Sequence, residues 1–218
     1  MIQRLFVVLI SVALFTGCAV APRFTSDVTV FHQLAQPTGL TFVMVPLADQ
    51  QSSLEYESYS RLVAGELKRF GMKQVQTSDR AAVSVYMRYN IDAGKAVNSA
   101  YPIIGQTGVS GSNTYGTVSR VGSIATVNAA TTYTPTFGVV GTGVRTDTIY
   151  MRSLDLQIMD TTSLSSGSPK KLYEAQVRSE GTSPQLARVM PYMIESLFKE
   201  FPGMSRAVRS HSIEEKSK

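Results

Sequence analysis

Thiol and imidazole chemistry in this chain rests on three residues, Cys18, His32 and His211. A serine hydrolase needs an imidazole held against its nucleophile by a third group. His32 falls in the first expected strand and His211 in a polar tail expected to fray, so no rigid shell orients either ring. Gly108-Val109-Ser110-Gly111-Ser112 approaches the G-x-S-x-G nucleophile elbow, but Ser112 stands where the last glycine belongs, and no strand-to-helix turn surrounds it. Paired carboxylates fare no better. Glu55 and Glu57 are two apart on an expected helix and point to different faces. Asp155 and Asp160 have opposite strand parity, which suits a solvated sheet face and a turn-initiating acid. Gly141-Thr142-Gly143-Val144-Arg145 lacks the Lys-Ser or Lys-Thr that a phosphate-cradling loop requires. One cysteine and two histidines also exclude a multi-ligand Cys/His zinc site. The expectation is a non-enzymatic protein with no catalytic, cofactor-binding or metal-binding residues.

The remaining reactive atom is the Cys18 sulfur. Arg4 supplies a positive start, residues 5–15 are apolar except Ser11, and Thr16 and Gly17 precede the cysteine. Such a run rises about half the distance across a bilayer core, where roughly 20 helical residues are needed, so it reads as a signal peptide. The ending Phe15-Thr16-Gly17-Cys18 resembles the bacterial lipobox, with Phe15 in the place of the usual leucine. That resemblance implies cleavage after Gly17 and acylation of Cys18. Each buried acyl methylene contributes roughly 0.8 kcal/mol, so two or three chains would hold the protein firmly on a membrane. Ala19 follows the cysteine in place of Asp, and likeness to enterobacterial sorting then implies the outer rather than the inner membrane, with a periplasm-facing domain as the expected orientation.

The elements behind this anchor follow from composition and period. At 218 residues, with 43% apolar and 17% charged, the chain suits one globular domain and excludes a disordered polymer, a collagen and a multi-span membrane protein. The formal net charge is +5 and the pI about 9.3, but the basic residues are scattered without an aromatic-basic stripe. Nucleic acid is therefore not an expected partner, whereas a modest positive surface suits anionic lipid. The expected organisation is a signal peptide over 1–17, a lipidated tether over 18–26, one domain over 27–204 with an insertion at 99–145, and a polar tail over 205–218.

Val28 and Val30 alternate with polar neighbours, and residues 40–45 are dense in apolar and β-branched types after the Pro37-Thr38-Gly39 turn signal, which predicts two strands joined by a turn. Ser52 and Glu55 form an S-x-x-E cap, and Tyr59, Leu62, Val63, Leu67 and Phe70 recur at helical spacing until Gly71. Val83, Val85, Met87 and Tyr89 alternate, as do Leu154, Leu156 and Ile158, and Tyr173, Ala175 and Val177. The last two runs are expected to pair as a hairpin across residues 161–169. Ser183 and Pro184 are expected to open a final helix whose stripe runs from Leu186 to Phe201, with Pro191 kinking or restarting it near Met190.

Residues 99–145 differ in kind, with eight Gly, nine Thr and five Ser, and with Arg120 and Arg145 as their only charges. No acid occurs from Ala93 to Thr146. Two copies of P-x-x-G-x-x-G, Pro102-Gly105-Gly108 and Pro135-Gly138-Gly141, suggest a symmetric pair of turns rather than a repeat stack, which needs about three units. β-Branched and aromatic residues between the copies favour a hairpin-like excursion. Two readings stay open for it, a flexible surface loop and a partner surface carried by Tyr101, Ile103, Ile104, Tyr115, Arg120, Tyr133, Phe137 and Arg145. The partner would be another envelope protein, peptidoglycan or anionic lipid.

Thr41-Phe42-Val43-Met44-Val45-Pro46, Phe70-Gly71, Pro135-Thr136-Phe137-Gly138-Val139-Val140-Gly141, the strand over 150–160, Leu172-Tyr173-Glu174-Ala175 and Leu197-Phe198-Lys199-Glu200-Phe201-Pro202-Gly203 follow in an order and spacing that resembles the bacterial lipoprotein family of domain of unknown function 4136. The likeness covers residues 26–204. It implies location and fold, and no catalytic residue comes with it. The expected fold class is α+β, an antiparallel sheet of about five strands with two helices on one face plus a Gly/Ser/Thr-rich β-like insertion. The expected function is a lipid-anchored, non-enzymatic envelope protein presenting an interaction surface. A lipid- or muropeptide-binding carrier or sensor, and an unrecognised hydrolase, are the alternatives.

Overall fold

The structure, a computed structural model, describes residues 23–215. Cys18 and the expected leader lie outside the described residues. The chain divides into a body, residues up to 93 and from 150 onward, and an excursion, Gly94–Ile149. In chain order the elements are β1 (Arg23–His32), β2 (Thr41–Met44), α1 (Leu54–Arg69), β3 (Lys73–Gln74), β4 (Val83–Ile91), β5 (Lys95–Val121), β6 (Ile124–Asp160), α2 (Thr161–Ser165), β7 (Lys171–Gly181), α3 (Leu186–Phe198) and β8 (Ala207–Glu214).

The expected antiparallel five-stranded α+β domain is overturned. Strands take 56% of the described residues and helices 21%, and eight strands form a mixed sheet ordered β3-β2-β4-β6-β7-β1-β8, with β5 paired to β6. β2 runs parallel to both β3 and β4. Its direction follows from α1, which carries the chain back across the sheet between β2 and β3 as a parallel connection requires. β1 and β2 are not the joined pair expected from their adjacency, since β1 lies between β7 and β8. β6 and β7 do pair antiparallel, from Tyr150 opposite Gly181 to Met159 opposite Lys171.

Alternation decides which side chains enter the core. Val83, Val85 and Met87 of β4, Leu154, Leu156 and Ile158 of β6, and Tyr173, Ala175 and Val177 of β7 are all buried in one cluster. α1 covers it with Tyr56, Tyr59, Val63 and Leu67, and α3 with Val189, Met190, Met193, Ile194, Leu197 and Phe198. A fully buried side chain of this size contributes roughly 1.5–3 kcal/mol, so this layer holds the body together. The cap of α1 is one residue later than expected. Ser53, not Ser52, accepts the Tyr56 amide at 3.2 Å, while Ser52 takes φ +62°. α3 begins after Gln185 without a side-chain cap and runs continuously through Pro191.

Two expected boundaries also change. Residues 23–26 of the tether already belong to β1, and the tail expected to fray forms β8, paired with β1 from Arg23 opposite Glu214 to Val30 opposite Ala207. Buried His211 sits opposite Ser26 in that ladder. Polar composition concealed a strand whose inward positions include Arg209 and His211.

Candidate functional site

The acid-free segment folds as one long antiparallel ribbon. β5 pairs with β6 from Lys95 opposite Ile149 to Val121 opposite Ile124, and Gly122 turns the chain at φ +67°. The two proline-glycine copies are therefore not turns. Both lie within the strands, with Gly105 directly opposite Gly138. Bulky neighbours occupy the space these glycines leave: Val140 lies over Gly105, Thr107 over Gly138, and the Tyr101 ring over Gly143.

Register shifts occur between Ile103 and Ile104, between Gln106 and Gly108, and between Val109 and Gly111. Each skips one residue, in turn Val140, Thr107 and Ser110, and a skipped residue breaks the two-residue period of the sequence. Following the pairing across these bulges sorts the ribbon into two faces. One carries Ile104, Val139, Phe137, Val109, Pro135, Tyr133, Ala129, Val118 and Val127, interrupted by Gln106, Ser112, Gly116 and the Thr114–Thr131 pair. Those two hydroxyls bond each other at 2.9 Å. On the opposite face, from Gly108/Thr136 to Ser119/Thr126, the paired positions are Gly, Ser, Thr and Asn apart from Tyr115 and Ala130. Thr107 and Ser110 lean to that side, their hydroxyls reaching the Thr136 and Thr134 carbonyls at 3.3 and 3.5 Å.

All eight residues expected to form a partner surface lie on this ribbon, but they do not form one patch. Ile104, Tyr133, Phe137 and Arg120 share the apolar face, while Tyr101, Ile103, Tyr115 and Arg145 stand on the other. Arg145 is closed into an ion pair with Asp147 at 2.9 Å. Sequence reasoning missed Val109, Val118, Val127 and Val139, which complete the apolar face and are each more than half exposed. Their type was plain in the sequence, but the bulges scrambled the parity that sets them on one face.

Residues examined for catalysis are held structurally. The His32 Nε2–H donates to the Gly203 carbonyl at 2.9 Å. Asp160 accepts the Ser163 amide at 3.1 Å as the cap of α2, and its hydrogen bonds with Thr162 and Ser163 hold the carboxyl below its ordinary range. Tyr59 donates to Glu55 at 2.8 Å, and burial together with that bond raises its phenol. Among the described residues no group of His, Cys, Asp and Glu could hold a metal ion. The space between α3, β1 and β8, lined by Val28, Tyr173, Leu197 and His211, amounts to about 10 Å³. No described helix is long and apolar enough to cross a membrane.

Comparison with known proteins places the chain among others of its kind. No curated protein matches it. Among solved structures it is similar to a PDZ domain protein from Parabacteroides distasonis, at 10% identity and a TM-score of 0.44, covering 88% of this chain and 39% of that one. It is also similar to the PelC dodecamer from Paraburkholderia phytofirmans, at 9% identity and a TM-score of 0.38, covering 82% of this chain and 99% of that one. The sequence model described as Domain of unknown function (DUF4136) matches residues 29–203, and the chain belongs to that family.

Proposed function

We propose that this is a non-enzymatic bacterial envelope lipoprotein, acylated at Cys18, whose ribbon is the surface it presents to another envelope component. The observation that carries the reading is the exposure of large apolar side chains along Gly94–Ile149. Val118 is 69% exposed, Tyr133 62% and Phe137 68%. Large apolar side chains exposed together on one face are the usual mark of a contact surface. Scattered basic residues and a leader ending in Thr16-Gly17-Cys18 fit a protein kept beside anionic lipid.

In-cell crosslinking followed by mass spectrometry tests it. A defined partner should be captured by the full chain and lost when residues 103–140 are deleted, with the body still folded by circular dichroism. Radiolabelled palmitate should enter the chain and be lost on Cys18→Ser. Capture that survives the deletion, or a chain that takes up no label, overturns the reading.

A further inference from the structure

The ribbon's two faces, two edges and charge placement belong together. From Gly108/Thr136 to Ser119/Thr126 one face is hydroxyl, amide and glycine apart from Tyr115 and Ala130, and the other carries Val109, Pro135, Tyr133, Ala129, Val118 and Val127, with Ser112, Gly116 and the Thr114–Thr131 pair among them. Residues 126–136 alone extend roughly 36 Å at about 3.3 Å per residue. At the roughly 40° tilt of spanning strands that rises about 28 Å, the height of an apolar bilayer core. Charges bracket the segment and do not enter it. Arg120 stands beside the turn, Lys95, Arg145 and Asp147 stand at the base, and residues 96–119 and 121–144 carry none.

The edges supply the rest. Among the described residues β5 pairs with β6 alone, and β6 gains its pairing to β4 and β7 only from residue 150 onward, so within them both outer edges of the ribbon carry unpaired backbone groups. Pro102 and Pro135 each remove a single donor. Open edges this long are templates for further strands, and within hydrocarbon they are tolerated only when a barrel closes on itself. A neighbour with the same length and the same two faces would be a second copy of this chain.

We propose that the ribbons of several copies join edge to edge into a transmembrane β-barrel, with the valine face toward lipid and the hydroxyl face lining a water-filled lumen. Each copy contributes two strands, so a barrel of about 8 strands, the smallest spanning size, takes about four copies. On the lipid side Thr114 and Thr131 share one hydroxyl–hydroxyl hydrogen bond, which lowers the cost of burying that pair. This rests on the ribbon being the contact surface and names what it contacts.

The test uses the full chain carrying Cys18→Ser, so that an introduced thiol is the only one, reconstituted into vesicles of phosphatidylethanolamine and phosphatidylglycerol. Thr117→Cys, Val118→Cys, Ser119→Cys, Val127→Cys and Asn128→Cys are each labelled with a polarity-sensitive dye. Labels at 118 and 127 should be blue-shifted and quenched by a lipid-borne quencher, while those at 117, 119 and 128 should answer to aqueous iodide. Vesicles loaded with a self-quenched dye should leak, and Val118→Asp with Val127→Asp should reduce release at least tenfold while the body's melting temperature is unchanged. Sealed vesicles, or labels with no alternation, overturn the barrel. If in-cell capture nevertheless depends on residues 103–140, the contact-surface reading stands without it; if capture does not, both fall.

Discussion

Tyr101 lies across Gly143: its ring carbon Cζ is 2.5 Å from the point where a β-carbon on Gly143 would stand. The two residues face each other in the β5–β6 register near the ribbon base. An aromatic side chain covering a strand glycine restores the packing that the glycine lacks. Gly143→Val would push the ring off its seat at a cost of about 1–3 kcal/mol, the usual range for overpacking. Hydrogen exchange should report about five- to 150-fold faster opening of amides in residues 95–103, with protection in β4 and β7 unchanged.

Burial separates the body's core side chains from the ribbon's valines. Leu156 is fully buried and Val118 is 69% exposed. Leu156→Ala should cost about 2–5 kcal/mol by leaving a cavity, whereas Val118→Ala in the detergent-solubilised chain should stay within about 0.5 kcal/mol. Urea unfolding followed by circular dichroism measures both. Comparable losses would mean that the ribbon's apolar row is packed in the free protein.

The α1 cap gives a paired test. Ser53→Ala removes the acceptor of the Tyr56 amide and should cost about 1 kcal/mol. Ser52 stands at φ +62°, so Ser52→Gly should stabilise by a few tenths of a kcal/mol up to about 1. Thermal melts of the two variants should move in opposite directions.

His211 makes stability depend on acid. Burial lowers its pKa below the ordinary 6.5, and Lys199 and Arg209 lower it further. Asp27 accepts the neighbouring Ser210 hydroxyl at 2.5 Å, and Arg209 pairs with Glu200. The unfolded chain therefore binds a proton at His211 before the folded chain does. Stability should be full above about pH 6.5 and fall as pH drops through that value toward the lowered folded pKa. His211→Gln should flatten the slope in that window. An unchanged slope assigns it elsewhere.

What could be read from the residues was whatever kept a clean period. Val83-Val85-Met87, Leu154-Leu156-Ile158 and Tyr173-Ala175-Val177 alternate without interruption and lie in adjacent core strands, and the Tyr59-Val63-Leu67 stripe is the buried face of α1. β3 is two residues long and has no period to detect, so the parallel pairing of β2 stayed hidden. β8 was hidden for another reason, because His211 enters the interior where an apolar residue was sought. On the ribbon, Thr107, Ser110 and Val140 reset the parity, so eight site residues chosen by type proved to be divided between two faces. Chemistry depends on which side a residue faces, and that is fixed by pairing.

The stretch from Ala93 to Thr146 holds no carboxylate and no imidazole. Mild acidification that neutralises Asp and Glu and charges His elsewhere in the chain finds nothing of either kind to act on there. Beyond the Arg145–Asp147 pair at its base, the ribbon thus keeps the same electrical character in sour and neutral surroundings alike. Any acid sensitivity in what it does must arrive through Asp147 at the base or from the body.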